Sequence, residues 1–272
     1  MPGIDEVISL LYKSGACAVG VCSSDESLYI GEGKRYKSVF CAAYPYLSGD
    51  ITGGKYSKYA QGADYHQVLP LKIRSFLGEG FDVYVDVSPF REVNVGVKCG
   101  IGKRGENNLL IVPVYGSFVF LACVGTDMEY TGDPEEHSCS FEQRCSKCFE
   151  CVRSCPSGAL SVRDGKVEFS AELCLSHISQ KRGDLTDGEK RLLRENGVIW
   201  GCDRCQDVCP ENRGVKNTYI QEFRATEPIP LTEEDLQGLT NSTFKEKYKN
   251  RAFTWRGLGV LKRNIKELLR RD

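Results

Sequence analysis

Cysteine is the residue type here with the most chemistry to offer, because seven of the fourteen fall into two short runs. One is Cys145-x2-Cys148-x2-Cys151-x3-Cys155-Pro156, the other Cys202-x2-Cys205-x3-Cys209-Pro210, and Cys174 stands between them. A 4Fe-4S cubane needs four thiolates around one compact body, and two-residue gaps let a single tight loop wrap three of its corners. The cysteine three residues on, followed by proline, ligates the other cluster. The spacing therefore predicts two clusters, one on Cys145, Cys148, Cys151 and Cys209, the other on Cys155, Cys174, Cys202 and Cys205. Structural zinc uses paired C-x2-C elements but leaves the two Cys-Pro endings unexplained. Disulfides need an oxidising compartment, and the start Met1-Pro2-Gly3-Ile4-Asp5-Glu6 lacks the basic and apolar regions of a secretory signal, so a cytoplasmic protein is expected. Cys17, Cys22, Cys41, Cys99, Cys123 and Cys139 stand outside the runs, mostly in apolar stretches, and read as small core residues.

Two other patterns could carry chemistry. Gly100-Ile101-Gly102-Lys103-Arg104-Gly105 satisfies G-x-G-x-x-G, but a helical segment precedes it and a strand follows, the reverse of a dinucleotide site. What remains is a loop whose backbone can approach a flat cofactor, or a plain turn. The second pattern is basic. Ten Lys or Arg lie between Thr243 and Asp272 against Glu246, Glu267 and Asp272, with Tyr248, Phe253 and Trp255 interleaved. Such a segment can grip a phosphate backbone and stack on bases, or it can be a solvated helix face with its aromatics in the core.

These residues need a scaffold, and 272 residues at 41% hydrophobic composition allow one large or two ordinary domains, with no apolar run long enough for a membrane span. Helical spacing covers 4–13, 64–77 and 90–99; strands are expected at 16–21, 38–46 and 81–87, and a hairpin over 108–124 with its turn at 113–116. Helices and strands mix without the regular alternation of a doubly wound sheet, so the fold class is α+β. The expected divisions are an α+β domain over 1–137, a two-cluster ferredoxin-like domain over 138–213, and a helical, basic segment over 214–272, with Leu258, Leu261, Ile265, Leu268 and Leu269 on one stripe. A bare electron carrier would not need so long a leading domain, so the clusters are expected to feed a site there.

The order of residues resembles the epoxyqueuosine reductase family, cobalamin-dependent enzymes of tRNA modification that are in turn similar to corrinoid reductive dehalogenases. The resemblance runs from the first strand to about Ile265. It rests on Tyr44-Pro45-Tyr46, on 58–66 (Lys-Tyr-Ala-Gln-Gly-Ala-Asp-Tyr-His), on Val85-Asp86-Val87-Ser88-Pro89, on the glycine loop running into Leu109-Leu110-Ile111, and above all on Cys145 to Asn212. It implies a cobalamin held by a nitroreductase-like α+β domain beside a ferredoxin-like domain, and a two-electron deoxygenation of the epoxide on a modified wobble guanosine of tRNA, giving queuosine. Asp86 matches the family's proton donor; desolvation against the corrin would raise its pKa into working range. Tyr59, Tyr65, His66, Gly100, Gly102, Gly105 and Asn107 match positions around cofactor or substrate. An external donor such as a flavodoxin or ferredoxin, and no membrane, complete the expectation. His137 and His177 carry no such signal.

The pattern departs at Ala63, Lys103 and Glu106, where the family has arginine, tryptophan and lysine, and a carboxylate at Glu106 disfavours a phosphate there. The chain also ends where longer relatives continue into helical repeats, leaving the basic tail to hold tRNA. Two other functions fit the same cysteines: a corrinoid and iron-sulfur reductase of a small organohalide or epoxide, without the twin-arginine signal common on respiratory dehalogenases, and a non-catalytic ferredoxin-type carrier.

Overall fold

The computed structural model describes residues 2–132, 145–225 and 229–270. His137, Cys139, Arg271 and the connector acids Asp133, Glu135 and Glu136 lie outside the described residues. The chain divides into two compact units and passes through each more than once. The first holds Met1–Tyr46, Tyr65–Cys148 and Pro210–Ile220, the second Leu47–Asp64, Phe149–Cys209 and Gln221–Asp272.

The first unit carries α1 (Ile4–Lys13), β1 (Ala18–Ser23), β2 (Ser38–Pro45), α2 (Tyr65–Leu77), β3 (Asp82–Tyr84), α3 (Glu92–Lys98), β4 (Lys103–Arg104), β5 (Leu110–Ile111) and β6 (Val119–Thr126). Four strands form an antiparallel sheet in the order β1-β2-β6-β3, so the class is mixed α+β as expected. Every residue of β2 is buried, which is why 38–45 reads as a continuous apolar run rather than an alternating one. Register sets Cys41 opposite Cys123, and Tyr84 opposite Cys123 from the other side. Helix α3 closes on this sheet so tightly that a Cβ on Gly20 would stand 2.1 Å from the Cys99 carbonyl oxygen. Around that contact lie Val39, Phe90, Val95, Ile101 and the thiols of Cys22, Cys41, Cys99 and Cys123.

Two expectations fail here. No hairpin joins 108–112 to 117–124: β5 folds back on β4, with Lys103 opposite Ile111, and β6 crosses to lie between β2 and β3. An eight-residue apolar strand gains more from two partners and burial than from its sequence neighbour, and Val112 and Gly116 close only a small bridge. Strand β3 stops at Tyr84, short of the predicted Val87, because the backbone turns sharply at Asp86.

The second unit carries α4 (Glu150–Arg153), a hairpin of β7 (Leu160–Arg163) and β8 (Lys166–Phe169), α5 (Leu175–Gln180), α6 (Asp187–Asn196), α7 (Arg204–Asp207), α8 (Asn241–Lys247) and α9 (Leu258–Leu269). Asp164 and Gly165, both at positive φ (50° and 73°), make the two-residue hairpin turn that suits strand twist. Thr186 and Glu189 cap α6 reciprocally, and Gly197 at φ 65° ends it. Leu175, Ile178, Leu185, Leu193 and Val198 form its core. The last helix begins at Leu258, not at Trp255, because Gly257 at φ 87° separates it from a 3-10 turn. Leu258, Leu261 and Ile265 are buried on the expected stripe, but Leu269 is 56% exposed. Tyr248 and Phe253 pack into the interior with Phe244, while Trp255 stays 48% exposed. Among the described residues no helix is long and apolar enough to cross a membrane.

Candidate active site and cluster ligands

Asp86 sits at φ 60°, and the Val87 N–H donates to the Val85 carbonyl at 2.7 Å, so Asp86 is the apex of a γ-turn of the strained, positive-φ kind. Such a conformation costs on the order of 1–3 kcal/mol and persists only where its surroundings fix it. The segment beyond the turn is tied down: Ile30 N–H donates to the Pro89 carbonyl, Arg91 N–H to the Leu28 carbonyl, and the Ser88 hydroxyl accepts from Phe90 N–H. The turn delivers the Asp86 carboxylate to the first turn of α2. There the Tyr65 hydroxyl donates to Oδ2, and His66 Nε2 lies 3.2 Å from the same oxygen. Tyr65 is held by stacking on Phe120 of β6, with ring centres 4.0 Å apart and planes 9° apart, and its other neighbour is the His66 ring. Tyr65, His66 and Asp86, singled out separately in the sequence, are thus brought together.

The chain leaves the Asp86 side chain 51% exposed. The carboxyl it desolvates is Glu92, in the first turn of α3, which no motif in the sequence marks. Burial pushes the Glu92 pKa up to about 8, and the neighbouring Asp86 charge adds to the rise; the Asp86 N–H, the Ser88 hydroxyl and the His66 ring oppose it. Its Oε1 is buried with no hydrogen-bond partner among the described residues. The site therefore sets the accessible Asp86 side chain beside a buried carboxyl, Glu92, whose burial favours the protonated form. The only sequence signal for Glu92 is an acid in a helical first turn near Asp86, a common arrangement.

The glycine loop leads from α3 into the β4–β5 hairpin, with Gly105 entering its turn; the hairpin packs along α3, and Arg104 reaches Asn94 at 3.3 Å. Gly100 ends α3 at φ 71°. A Cβ on Gly102 would meet the Ile111 carbonyl oxygen at 2.5 Å, and one on Gly105 would meet Asn107 Oδ1 at 2.5 Å, so both glycines serve backbone closeness. Asn107 is buried, its Oδ1 accepting from Leu109 N–H at 3.3 Å while its Nδ2 is without a partner among the described residues. A buried amide donor beside a glycine backbone suits the polar rim of a bound macrocycle. Tyr59 lies in the second unit, where its hydroxyl accepts from Trp200 Nε1 at 2.9 Å and Gln180 Nε2 at 3.3 Å.

The seven run cysteines and Cys174 are half-buried, whereas Cys22, Cys41, Cys99 and Cys123 are fully buried and Cys17 is half-buried. Within the second unit, burial holds the Cys202 thiol up at about 11, with Cys174 and Cys155 adding to the rise; Cys205 is raised further, by burial and by Cys202, Cys174 and Cys151. Thiols that repel one another as thiolates are the donor set that a cationic iron centre neutralises. Among the described residues no group of three or more His, Cys, Asp or Glu closes around a point as a single ion requires. A four-iron cubane instead carries its thiolates on separate irons at its corners. Lys147 and Phe149, at φ 51° and 59°, give the first run its tight curl. The second run is clamped by Asp203, which is almost fully buried: it accepts from Ser57 Oγ at 2.5 Å and from Lys58 N–H at 2.7 Å, and Lys58 Nζ stands 3.6 Å away. Burial raises the Asp203 pKa and the Lys58 charge opposes that rise.

Residues 144–212 match the family described as 4Fe-4S double cluster binding domain, which assigns the two runs to iron-sulfur clusters. An epoxyqueuosine reductase of Leadbetterella byssophila is 31% identical over 240 residues, covering 85% of this chain and 76% of the relative. The chain belongs to the epoxyqueuosine reductase family. Another family member, from Lactococcus garvieae, is 34% identical over 225 residues, or 78% of this chain and 60% of the relative, so the chain spans little more than half the length of that protein. A crystal structure of an epoxyqueuosine reductase with an epoxyqueuosine-modified tRNA-Tyr stem loop is similar with a TM-score of 0.78 at 26% identity, covering 97% of this chain and 80% of that one. The α+β fold with an iron-sulfur domain is thus the family's.

Proposed function

We propose that this protein is a cobalamin- and iron-sulfur-dependent reductase that converts epoxyqueuosine to queuosine in tRNA, with Asp86 as the acid. The observation that carries the reading is the strained Asp86 turn, presented to Tyr65 and His66 with the buried carboxyl of Glu92 beside it, in a chain of this family. Removing an epoxide oxygen to leave an alkene consumes two electrons and two protons and releases water. Cobalamin, when bound, would supply two-electron reduction at carbon or oxygen of the epoxide, recharged through the clusters by an external low-potential one-electron donor such as a flavodoxin or ferredoxin. Asn107, Tyr65, His66 and the backbone at Gly100, Gly102 and Gly105 are the residues suited to hold it. Asp86 protonates the alkoxide as the C–O bond opens, because an oxyanion leaving without a proton is a poor product. Tyr65 holds the Asp86 carboxyl in place through its hydroxyl, His66 tunes it, and Glu92 keeps a second proton within the site. The basic segment after Thr243 would hold the RNA.

The test is anaerobic turnover of epoxyqueuosine-containing tRNA by the reconstituted protein with cobalamin and a strong reductant, read by nucleoside mass. Asp86→Asn should abolish queuosine formation while cluster iron and cobalamin loading stay intact. Unaltered turnover in that variant would remove Asp86 from the mechanism, and no turnover by the loaded wild type would overturn the assignment of substrate.

A further inference from the structure

The second unit contains a concave basic site that the chemistry above does not use. A pocket of about 540 Å³ is lined by Arg182, Lys245, Arg256 and Arg263, with Asp184 as its one carboxylate. Trp255 forms part of its wall, and the Arg256 guanidinium lies over the Trp255 ring at 3.6 Å. Three separate stretches of chain converge here: the loop after α5, helix α8, and the junction leading into α9.

Cations that share a pocket repel one another, and of the lining residues Asp184 alone carries a compensating charge against four of them. Arg256 is held below its ordinary pKa by burial and by the charge of Arg182; Arg263 is also lowered by burial, with Glu189, Asp184 and Glu267 opposing. Arg263 is not free to swing away, because its Nη1 donates to the Lys181 and Gly183 carbonyls at 2.8 and 2.6 Å and its Nε to Asn264 at 2.9 Å. Two guanidinium N–H groups, Arg256 Nε and Arg263 Nη2, are buried without a hydrogen-bond partner among the described residues. A buried donor left unmatched is destabilising, and an oxyanion accepting from it relieves that cost. The first turn of α9 adds to the same wall: Gly257, Gly259 and Val260 line the pocket, Gly259 has open space where a Cβ would stand, and a helix N-terminus favours negative charge.

We propose that this pocket binds a backbone phosphate of the RNA substrate, with Arg256 and Arg263 as anchored donors, Arg182 and Lys245 as mobile cations at the mouth, and Trp255 as a platform for an adjoining base. The ligand chemistry is a phosphate oxyanion next to a planar ring. An RNA strand supplies both together; a free phosphate supplies only the first. This deepens the proposed function and rests on it for the RNA, while the site itself rests on the pocket.

The experiment uses the full chain, reconstituted with its clusters under anaerobic conditions, and a labelled RNA anticodon stem loop whose binding is followed by anisotropy from low to high KCl. Arg182 and Lys245 are both exposed, so Arg182→Ala with Lys245→Ala leaves the packing alone. The double variant should bind about tenfold or more weakly at low salt, with a log K against log salt slope shallower by about 0.7 for each phosphate no longer neutralised. Iron content should be unchanged. Trp200 is fully buried, so the exposed Trp255 reports the site by fluorescence. The RNA should perturb that emission at concentrations where inorganic phosphate does not, and Trp255→Ala should weaken RNA binding with little change in slope. Wild-type affinity and slope in the double variant would overturn the proposal, as would a saturable response to inorganic phosphate that the RNA fails to compete. Failure of the substrate reading looks different: RNA would bind through the pocket, with the predicted loss in the variant, yet no queuosine would form.

Discussion

Replacing Glu92 with glutamine tests whether the fold holds a proton beside Asp86. The carboxyl's pKa rises from an ordinary 4.5 to about 8, and at about 1.4 kcal/mol per pH unit the folded state penalises the ionised form by at most roughly 5 kcal/mol. The sign follows from proton counts. Between pH 4.5 and 8 the folded protein keeps a proton that the unfolded chain has released, so wild-type stability falls as pH rises through this window, and the loss is complete above 8. Glutamine preserves shape and one amide donor but does not titrate. The stability of Glu92→Gln relative to wild type should therefore climb with pH between 5 and 9 by several kcal/mol, part of the upper bound being relieved by water entry into the opened site. Cluster-bearing proteins can depart from two-state unfolding, so the primary assay is infrared: a protonated carboxyl band present at pH 6.5, lost by pH 9, and missing from the variant at both. Asp86, His66 and the Cys123 thiol are titratable groups that face Glu92, and repeating the titration in Asp86→Asn should move the midpoint down. A wild type that shows no such band at pH 6.5, together with stability curves that stay parallel, would refute the reasoning.

Cys174→Ser should remove about half the iron from anaerobically prepared protein, since Cys174 belongs to one predicted ligand set only, and unchanged iron would reject the partition. Asp203→Asn removes the buried carboxylate that accepts from Ser57 and the Lys58 N–H, while Lys58 Nζ keeps Asp207 at 2.5 Å; it should lower stability by about 1–3 kcal/mol and speed cluster loss, and an unchanged urea midpoint would count against the clamp. Gly20→Ala forces a methyl group toward the Cys99 carbonyl and should cost about 2 kcal/mol or more. Gly188→Ala, on open helix surface, should instead be neutral or stabilise by a few tenths to about 1 kcal/mol, and similar thermal midpoints for the two would show that the close approach is not real.

The iron-sulfur domain was legible because the signal of its two runs is local: short fixed gaps between thiols are what a loop needs to wrap one compact body. Asp86, Tyr65 and His66 were legible as separate motif positions, but their meeting depends on a γ-turn at the end of β3 and on Phe120, which arrives from a strand 34 residues downstream. Glu92 was missed because its proton affinity comes from burial against groups distant in sequence. The same limitation produced the wrong hairpin: the apolar run 117–124 says that a strand exists there, not that two others will flank it. The basic tail divided along the line its composition left open, Phe253 and Tyr248 going to the interior and Trp255 to the surface.

Fourteen sulfhydryls, eight of them the proposed cluster ligands, set a sorting problem during biogenesis. Cys22, Cys41, Cys99 and Cys123 are all 0% exposed in the wall between sheet and α3, so in the finished unit no iron donor can touch them. In a nascent or heat-loosened chain the same four are ordinary soft ligands, able to capture metal in wrong combinations. Closure of the sheet therefore has to precede delivery of iron, and holding back iron until the leading unit has folded should raise the yield of correctly loaded protein.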